Sequence, residues 1–127
     1  MTTVGIILLS NSVDKVLPSF MLANTSAAMG MEVGIFFSFN GIHTLHREKV
    51  KEIQAEVEKL KVDKMPSIDQ LIKQAIDLGV KLFPCETAMR MFGYTAEDLL
   101  EGVEKPVGAA TFLNFVNKSD KPIVMTF

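Results

Sequence analysis

The amino-acid sequence predicts an α/β fold, a three-layer sandwich in which helices cover both faces of a mostly parallel sheet of about five strands. The first observation is that short apolar runs of strand length alternate with segments whose apolar residues recur every three or four positions. The second is that strands separated by helices are joined by right-handed crossovers, which produce parallel sheets. At 127 residues the chain is large enough for a single core, so we expect one domain spanning residues 1–127.

The first third of the chain predicts a β-α-β arrangement. Residues 4–9 are continuously apolar and predict a buried strand, which the polar turn at residues 10–12 ends. Apolar residues then recur at helical spacing from Val13 until Gly30, a typical helix stop. Residues 33–37 predict the second strand, and a loop is expected at residues 39–41.

The segment 47–64 is unusually charged, since eleven of its eighteen residues are Lys, Arg, Asp or Glu. Val50, Ile53, Val57 and Leu60 keep a helical spacing within it, which predicts an amphipathic helix with a narrow apolar stripe. Two interpretations are open. The helix could dock another subunit, or, as we favour, it is a solvated outer helix whose stripe packs on its own core.

The second half of the chain alternates in the same way. Ser67 and Gln70 form a capping box that starts a helix, and Gly79 ends it. The elements predicted after it are a strand at 80–83, a helix through Met91, a helical turn at 95–98, a weak strand at 103–107, a helix at 109–116 and a closing strand at 123–127.

Cys85 is the only cysteine and follows the predicted strand at residues 80–83. Pro84 lacks an amide hydrogen and should end that strand, which places the thiol at the start of the next helix. A helix N-terminus favours a thiolate, so Cys85 is a candidate nucleophile or sulfur acceptor. The alternative is that Cys85 is an inert, buried side chain, as free cysteines often are.

A strand order of 2-1-3-4-5, as in flavodoxin-like sheets, would place Cys85 at a ligand-binding crevice. In that order the first and third strands are neighbours, and ligands bind beyond their carboxyl ends. The binding residues predicted there come from the loops that end the strands and from the start of the helix after Cys85. They are Ser10, Asn11, Ser12, Phe39, Asn40, Gly41, His43, Glu86 and Thr87.

Composition and missing motifs argue against several functions. The net charge of −2 gives no case for nucleic-acid binding, and no early apolar run approaches the roughly 20 residues of a membrane helix. A single cysteine forms no intrachain disulfide and no secretory signal is evident, so we expect a cytoplasmic protein. Dinucleotide-binding, P-loop, nucleophile-elbow and dithiol motifs are absent, and we predict no cofactor.

His43 and His46 are the only histidines, and on a helix their spacing of three residues would put them on one face. No third ligand stands at an obvious spacing, so we predict no metal site. His43 could instead be an anion-binding or proton-shuttling neighbour of Cys85, or an ordinary surface residue. Several methionines would suit Cu(I), but packing explains them better: Met21, Met29, Met31, Met89 and Met91.

Three stretches of the chain carry a resemblance to a known family. They are residues 4–9, the run A-M-G-M-E-V-x-I-F-F-x-F-x-G within 27–41, and the run L-G-V-K-L-x-x-C-x-x-x-M-x-x-x-G at 78–93. Together they resemble the DsrE/DsrF-like family, and most closely its stand-alone DsrE-like branch labelled "peroxiredoxin family". The resemblance covers nearly the whole chain. One departure is the charged stretch 47–64, which stands where that branch often has a segment rich in Met and Gly.

The resemblance implies a DsrE-like fold and a cytoplasmic sulfur-relay protein, similar to the TusD subunit of tRNA-thiolation relays. In such a protein Cys85 carries sulfur as a persulfide or thiosulfonate and passes it to a partner thiol. The implied partners are TusA-like carriers, rhodaneses and sulfur-oxidising complexes. The implied assembly is a homo-oligomer, as a trimer, tetramer or hexamer.

Two rival functions come from other classes. One is a non-catalytic, oligomeric binding module that holds a small anion while Cys85 stays inert; a slow reaction of the thiol at neutral pH would favour it. The other is a small-molecule enzyme of the same fold that acts through His43 or His46. Activity that survives loss of the thiol but not of a histidine would favour the enzyme.

Overall fold

The central sheet has four strands, all parallel, in the order β3-β2-β1-β4. The structure is a computed structural model that describes residues 1–127. In chain order its elements are β1 (Thr3–Leu8), α1 (Val13–Ala28), β2 (Glu32–Phe37), a 3₁₀ helix (Phe39–Leu45), α2 (Lys49–Lys59), α3 (Ile68–Asp77), β3 (Lys81–Pro84), α4 (Glu86–Phe92), a 3₁₀ turn (Ala96–Asp98), α5 (Ala109–Val116) and β4 (Ile123–Thr126).

Helices cover both faces of the sheet, as the predicted sandwich requires. Consecutive residues of a strand point to opposite faces. In β2 the ring of Phe37 lies 6.0 Å from that of Phe20 on α1, whereas the ring of Phe36 stacks on Phe112 of α5 at 5.1 Å. The two helices therefore pack on opposite faces, and the predicted three-layer α/β fold is confirmed.

The number and order of the strands differ from the prediction. Residues 103–107 form no strand, because Pro106 has no amide hydrogen to donate, and their only bridge joins Val107 to Cys85. The order 2-1-3-4-5 is wrong, since β1 has β2 on one side and β4 on the other. With both edges of β1 occupied, β3 pairs with the free edge of β2.

The helix boundaries follow the local signals closely. In α3 the Ser67 hydroxyl accepts a hydrogen bond from the Gln70 amide at 3.1 Å, and the Gln70 side chain accepts one from the Ser67 amide at 2.8 Å. The helix predicted at 109–116 matches α5. Residues 39–41 belong to a 3₁₀ helix and not to the expected loop, because the chain turns back tightly against the end of β1.

The charged segment forms α2, which is shorter than the predicted 47–64. It ends before Lys61, whose φ of 53° lies in the left-handed region. Val50, Ile53 and Val57 are buried, and the charged residues between them form ion pairs on the exposed side. Three residues of the predicted stripe therefore pack on the protein's own core, as we favoured, whereas Leu60 lies beyond the end of α2 and is exposed. No helix in the chain combines the length and apolar character needed to cross a membrane.

Candidate functional site

Cys85 lies where β3 ends and α4 begins. Its backbone is extended, with φ −79° and ψ 123°, and it occupies the N-cap position of α4. Its amide donates a hydrogen bond to the carbonyl of Phe37 at 3.1 Å, which ties the end of β3 to the end of β2. β3 ends at Pro84, as predicted, so the only thiol stands at the carboxyl edge of the sheet.

The thiol is buried, since Cys85 is only 6% exposed. Residues 103–107, called here the edge segment, run along the outer edge of β3 beside it. The Glu104 amide donates to the Leu82 carbonyl at 2.9 Å and the Val107 amide to the Pro84 carbonyl at 2.9 Å. The Glu86 amide in turn donates to the Val107 carbonyl at 3.0 Å. Cys85 is thus held between β2 and the edge segment.

Two helices begin close to Cys85. Cys85 caps α4, and Val107, its bridge partner, is followed directly by Gly108, the N-cap residue of α5. The first amides of a helix have no partner within the helix and carry partial positive charge. The starts of both helices are therefore close to the backbone of Cys85.

A cavity of about 290 Å³ adjoins the edge segment. Its walls come from the segment itself and from the chain that precedes it, and also include Arg47: Arg47, Ala96, Leu99, Leu100, Glu101, Gly102, Val103, Glu104, Lys105 and Pro106. Cys85 lines none of the cavities of the structure. The cavity therefore borders the edge segment, which covers the thiol, and does not reach the thiol itself.

The predicted crevice residues fall into separate groups. Glu86 and Thr87 form the exposed first turn of α4 and stay next to Cys85. Ser10 and Ser12 lie beyond β1, which is two strand spacings, roughly 10 Å, from β3. Because β2 intervenes, the expected meeting of these serines with Cys85 at a switch point is wrong. The topological switch point, where the strand order reverses, lies between β1 and β4 instead.

The residues after β1 make local contacts. The Ser12 amide donates to the Ser10 hydroxyl at 3.0 Å, and the Ser12 hydroxyl donates to the carboxylate of Asp14 at the start of α1. Asn11 borders a cavity of about 180 Å³ whose other walls include Glu52 and Glu56. These carboxylates make this part of the surface unsuitable for an anionic sulfur compound.

The 3₁₀ helix packs beside α4 and the end of β1. Gly41 is required there, because a Cβ at this position would overlap the backbone carbonyl of Leu8. Phe39 is 57% exposed and has φ of 46°, in the left-handed region that non-glycine residues rarely adopt. Asn40 is exposed beside it. These residues lie at the same edge of the sheet as Cys85 and border no cavity.

The two histidines meet at Tyr94, at the far end of α4. His43 Nδ1 lies 2.6 Å from the Tyr94 hydroxyl, and the ring of His46 lies 4.2 Å from the ring of Tyr94. Burial lowers the pKa of His43, with help from the charge of Lys49, and burial raises the pKa of Tyr94. His46 Nδ1 accepts the Glu48 and Lys49 amides at 3.1 and 3.2 Å.

This cluster is a packing and capping unit in the structure. The ring of Phe92 lies 4.4 Å from that of His43, which joins the 3₁₀ helix to the end of α4. The His46 ring satisfies the first free amides of α2. No group of three or more His, Cys, Asp or Glu side chains in the chain is arranged so that it could hold a metal ion.

Sequence reasoning missed two residues of this region. Val107 borders Cys85, and the weak strand signal at 103–107 was the only sign of it. Tyr94, the only tyrosine, accounts for the environment of both histidines. Its position follows Gly93, which ends α4 with φ of 70°. The sequence shows that a helix ends at Gly93, but it does not show that His43 and His46 pack against the tyrosine that follows.

Comparisons with known proteins agree with this architecture. The sulfur carrier protein DsrE2 of Allochromatium vinosum is 26% identical over 149 aligned positions, which cover 91% of this chain and 93% of that protein. The crystal structure of the YchN protein from E. coli superposes with a TM-score of 0.74 at 17% identity, over 100% of both chains. The structure of MTH1491 from Methanobacterium thermoautotrophicum, described as a protein of unknown function, superposes with a TM-score of 0.66 at 19% identity, over 97% of both chains.

The family match covers nearly the whole sequence. Residues 2–65 and 54–124 match the family described as DsrE/DsrF/DrsH-like. The match includes both quoted runs, the end of β2 and the segment around Cys85. With the shared fold, it shows that the chain belongs to the DsrE/DsrF/DrsH-like family.

Proposed function

We propose that this protein is a sulfur carrier that holds sulfur on Cys85 and passes it to the thiol of a partner. The observation that carries the proposal is the position of the only thiol, at the carboxyl edge of the sheet beside the first residues of α4 and α5. Membership of the family, and the likeness to a protein named as a sulfur carrier, support it.

The proposed cycle needs one thiol on this chain. The Cys85 thiolate attacks the outer sulfur of a donor persulfide, R–S–SH; a new S–S bond forms, the donor S–S bond breaks, and R–S⁻ leaves. With tetrathionate as donor, the Cys85 thiolate attacks a central sulfur, so that thiosulfate leaves and Cys85 carries a thiosulfonate, Cys85–S–S–SO₃⁻. In either loaded form a partner thiolate then attacks the sulfur bonded to the Cys85 sulfur, and the Cys85 thiolate leaves. No external oxidant or reductant is consumed in the persulfide cycle.

The site would favour the loaded form electrostatically. A persulfide is an anion at neutral pH, and the first turns of α4 and α5 carry partial positive charge, although the Glu86 amide is already bonded to the Val107 carbonyl. Glu86 adds a negative charge in the first turn of α4, but it is exposed and its side chain has room to turn into water. The backbone amides are fixed by the fold, so their contribution remains.

Access to the thiol would come from movement of the edge segment. Cys85 is too buried to meet a partner cysteine in the structure as it stands. Two backbone hydrogen bonds hold the segment to β3 and a third holds it to the start of α4, and each is worth about 1 kcal/mol net. Opening by local separation of such a short segment is within reach of thermal motion. The adjoining cavity of about 290 Å³ gives it room.

We also propose for this protein the partners and the assembly that the resemblance implies. Partners would be TusA-like or rhodanese-like carriers, whose own cysteine meets Cys85, in the cytoplasm. The chain itself would form a homo-oligomer. Neither a nucleic acid nor a membrane is proposed as a partner.

A loading experiment tests the proposal. Purified protein is incubated with polysulfide, thiosulfate or tetrathionate, and its intact mass is measured with and without reductant, with Cys85→Ser as the control. We expect a reducible gain of one sulfur, or of a thiosulfonate group, in the wild type only. If no donor adds sulfur to a thiol that iodoacetamide can alkylate, the carrier function is wrong.

The burial of Cys85 also favours a second candidate, a binding module with an inert cysteine. The two differ in the rate of thiol reaction. A carrier thiol should be alkylated at neutral pH on the timescale of local opening, whereas an inert core thiol should react only as fast as the whole domain unfolds. Comparing the alkylation rate with the global unfolding rate separates them.

A further inference from the structure

The outer edge of β4 is unpaired. The Phe127 amide donates to the Ile7 carbonyl and the Leu9 amide to the Phe127 carbonyl, both at 2.8 Å, so residue 127 directs its backbone groups toward β1. Backbone groups alternate in direction along a strand. Val124 and Thr126 therefore point their N–H and C=O groups away from the sheet, and no other part of the chain bonds to them.

The opposite edge of the sheet, at β3, is not free. There the edge segment covers β3 through the Glu104 and Val107 amides. Natural sheets usually protect exposed edges with charged side chains, prolines, bulges or a covering segment, and very short edge strands also help. β4 is short, with four residues, but it contains no charge and no proline, and Ile123 and Val124 are 43% and 52% exposed.

We propose that β4 pairs with β4 of a second copy of this chain, antiparallel, about a two-fold axis at Met125. The direction of the backbone groups selects this register. Val124 would face Thr126 of the second copy and Thr126 would face Val124, which gives four N–H···O=C bonds. Met125, whose groups point to β1, would face Met125 of the second copy as a pair without hydrogen bonds.

The side chains suit this arrangement. Residues that face each other across paired strands share a face of the sheet. On one face Met125 would meet its own copy and Ile123 would meet Phe127, while on the other face Val124 would meet Thr126. Each residue of β4 would then face an apolar residue or threonine of the second copy, and no charged side chain would be buried. A two-fold contact needs such self-complementarity, and β4 supplies it when it is paired with its own copy.

The contact constrains the assembly. A two-fold interface of this kind produces a dimer, or a larger even-numbered assembly when another interface is added, and never a trimer alone. It would join two sheets into one continuous eight-stranded sheet, from twice the four strands of one chain. The proposal does not rest on the chemistry of Cys85, which lies at the other side of β1.

Cysteine crosslinking tests the register. In a Cys85→Ser background, Met125→Cys places two thiols on the axis, where Cα atoms of such a pair are about 4.5 Å apart. This lies within the span of about 4.4 to 6.8 Å that a disulfide bridges. Ile123→Cys in the same background is the matched control. It lies on the same face and is more exposed, but its two copies would be more than about 13 Å apart.

We expect mild oxidation to convert Met125→Cys to a covalent dimer at least ten times faster than Ile123→Cys. Random collisions would favour the more exposed Ile123→Cys, so equal rates, or the reverse order, would overturn the register.

Sedimentation velocity of the unmodified wild type gives a second test. Thr126→Pro removes an outward amide and should shift the dimer to monomer, whereas Thr126→Val should not. A monomeric wild type at micromolar concentration would overturn the proposal, and so would a dimer that survives in a folded Thr126→Pro.

Discussion

At the residue scale, Cys85 owes its position to its two neighbours in the chain. Pro84 ends β3, and Glu86 begins α4 by donating its amide to Val107. The first of these was predictable, because the missing amide hydrogen of proline is a local property. The burial of the thiol was not, because its cover comes from residues about twenty positions later, and only the folded chain brings them together.

Gly41 makes a first prediction at this scale. A Cβ there would overlap the Leu8 carbonyl, a backbone atom that cannot turn aside, so Gly41→Ala should lower the free energy of unfolding by at least about 2 kcal/mol. Gly108→Ala is the matched control, because nothing lies within 4 Å of its would-be Cβ. Urea denaturation measures both. Equal stabilities would show that the 3₁₀ helix does not approach β1 as described.

His43 makes a second prediction, on pH. Its pKa is lowered from the ordinary 6.5, mainly because burial disfavours the charged ring. The unfolded chain then takes up a proton at this ring before the folded chain does, so stability is lost as pH falls through 6.5 toward the lower, folded pKa. Above that range the contribution is constant. Urea midpoints between about pH 7.5 and 5.5 should fall more steeply in the wild type than in His43→Asn. Parallel curves would contradict this.

At the element scale, the signals that are local in sequence predicted the helices well. The capping box of α3 and the limits of α5 are determined by residues that are close together in the sequence. The edge segment and the 3₁₀ helix were misjudged as a weak strand and a loop. Their conformations depend on distant partners, Pro84 and Leu82 for the one and Leu8 for the other, which no local pattern reveals.

The edge segment makes a third prediction. Glu104→Pro removes the amide that bonds to Leu82, which should ease opening by about 1 kcal/mol and raise the alkylation rate of Cys85 by roughly two- to tenfold. Lys105→Pro is the matched control, since the Lys105 amide donates to no backbone group. Iodoacetamide labelling followed by intact mass measures both rates. A thiol that reacts equally fast in both variants would show that the edge segment does not control access.

At the scale of the whole molecule, the sequence predicted the class of fold but not the arrangement of its strands. Apolar periodicity identifies strands and helices, yet any order of parallel strands would bury the same residues. The observed order separates β1 from β3 by β2 and moves the reversal point to β1 and β4. The predicted crevice therefore divides into a Cys85 region, with Glu86 and Thr87, and a separate serine turn after β1.

The central claim concerns the whole cycle, in which sulfur both arrives at Cys85 and leaves it. The most direct measurement follows the intact mass of protein loaded with one sulfur after an excess of a small thiol is added, with Cys85→Ser treated in parallel. We predict that the loaded protein returns to its unmodified mass while the thiol gains the sulfur as a persulfide, and that the variant never carries the added mass. A wild-type protein that takes up no sulfur, or an added sulfur that persists in Cys85→Ser, would contradict the account.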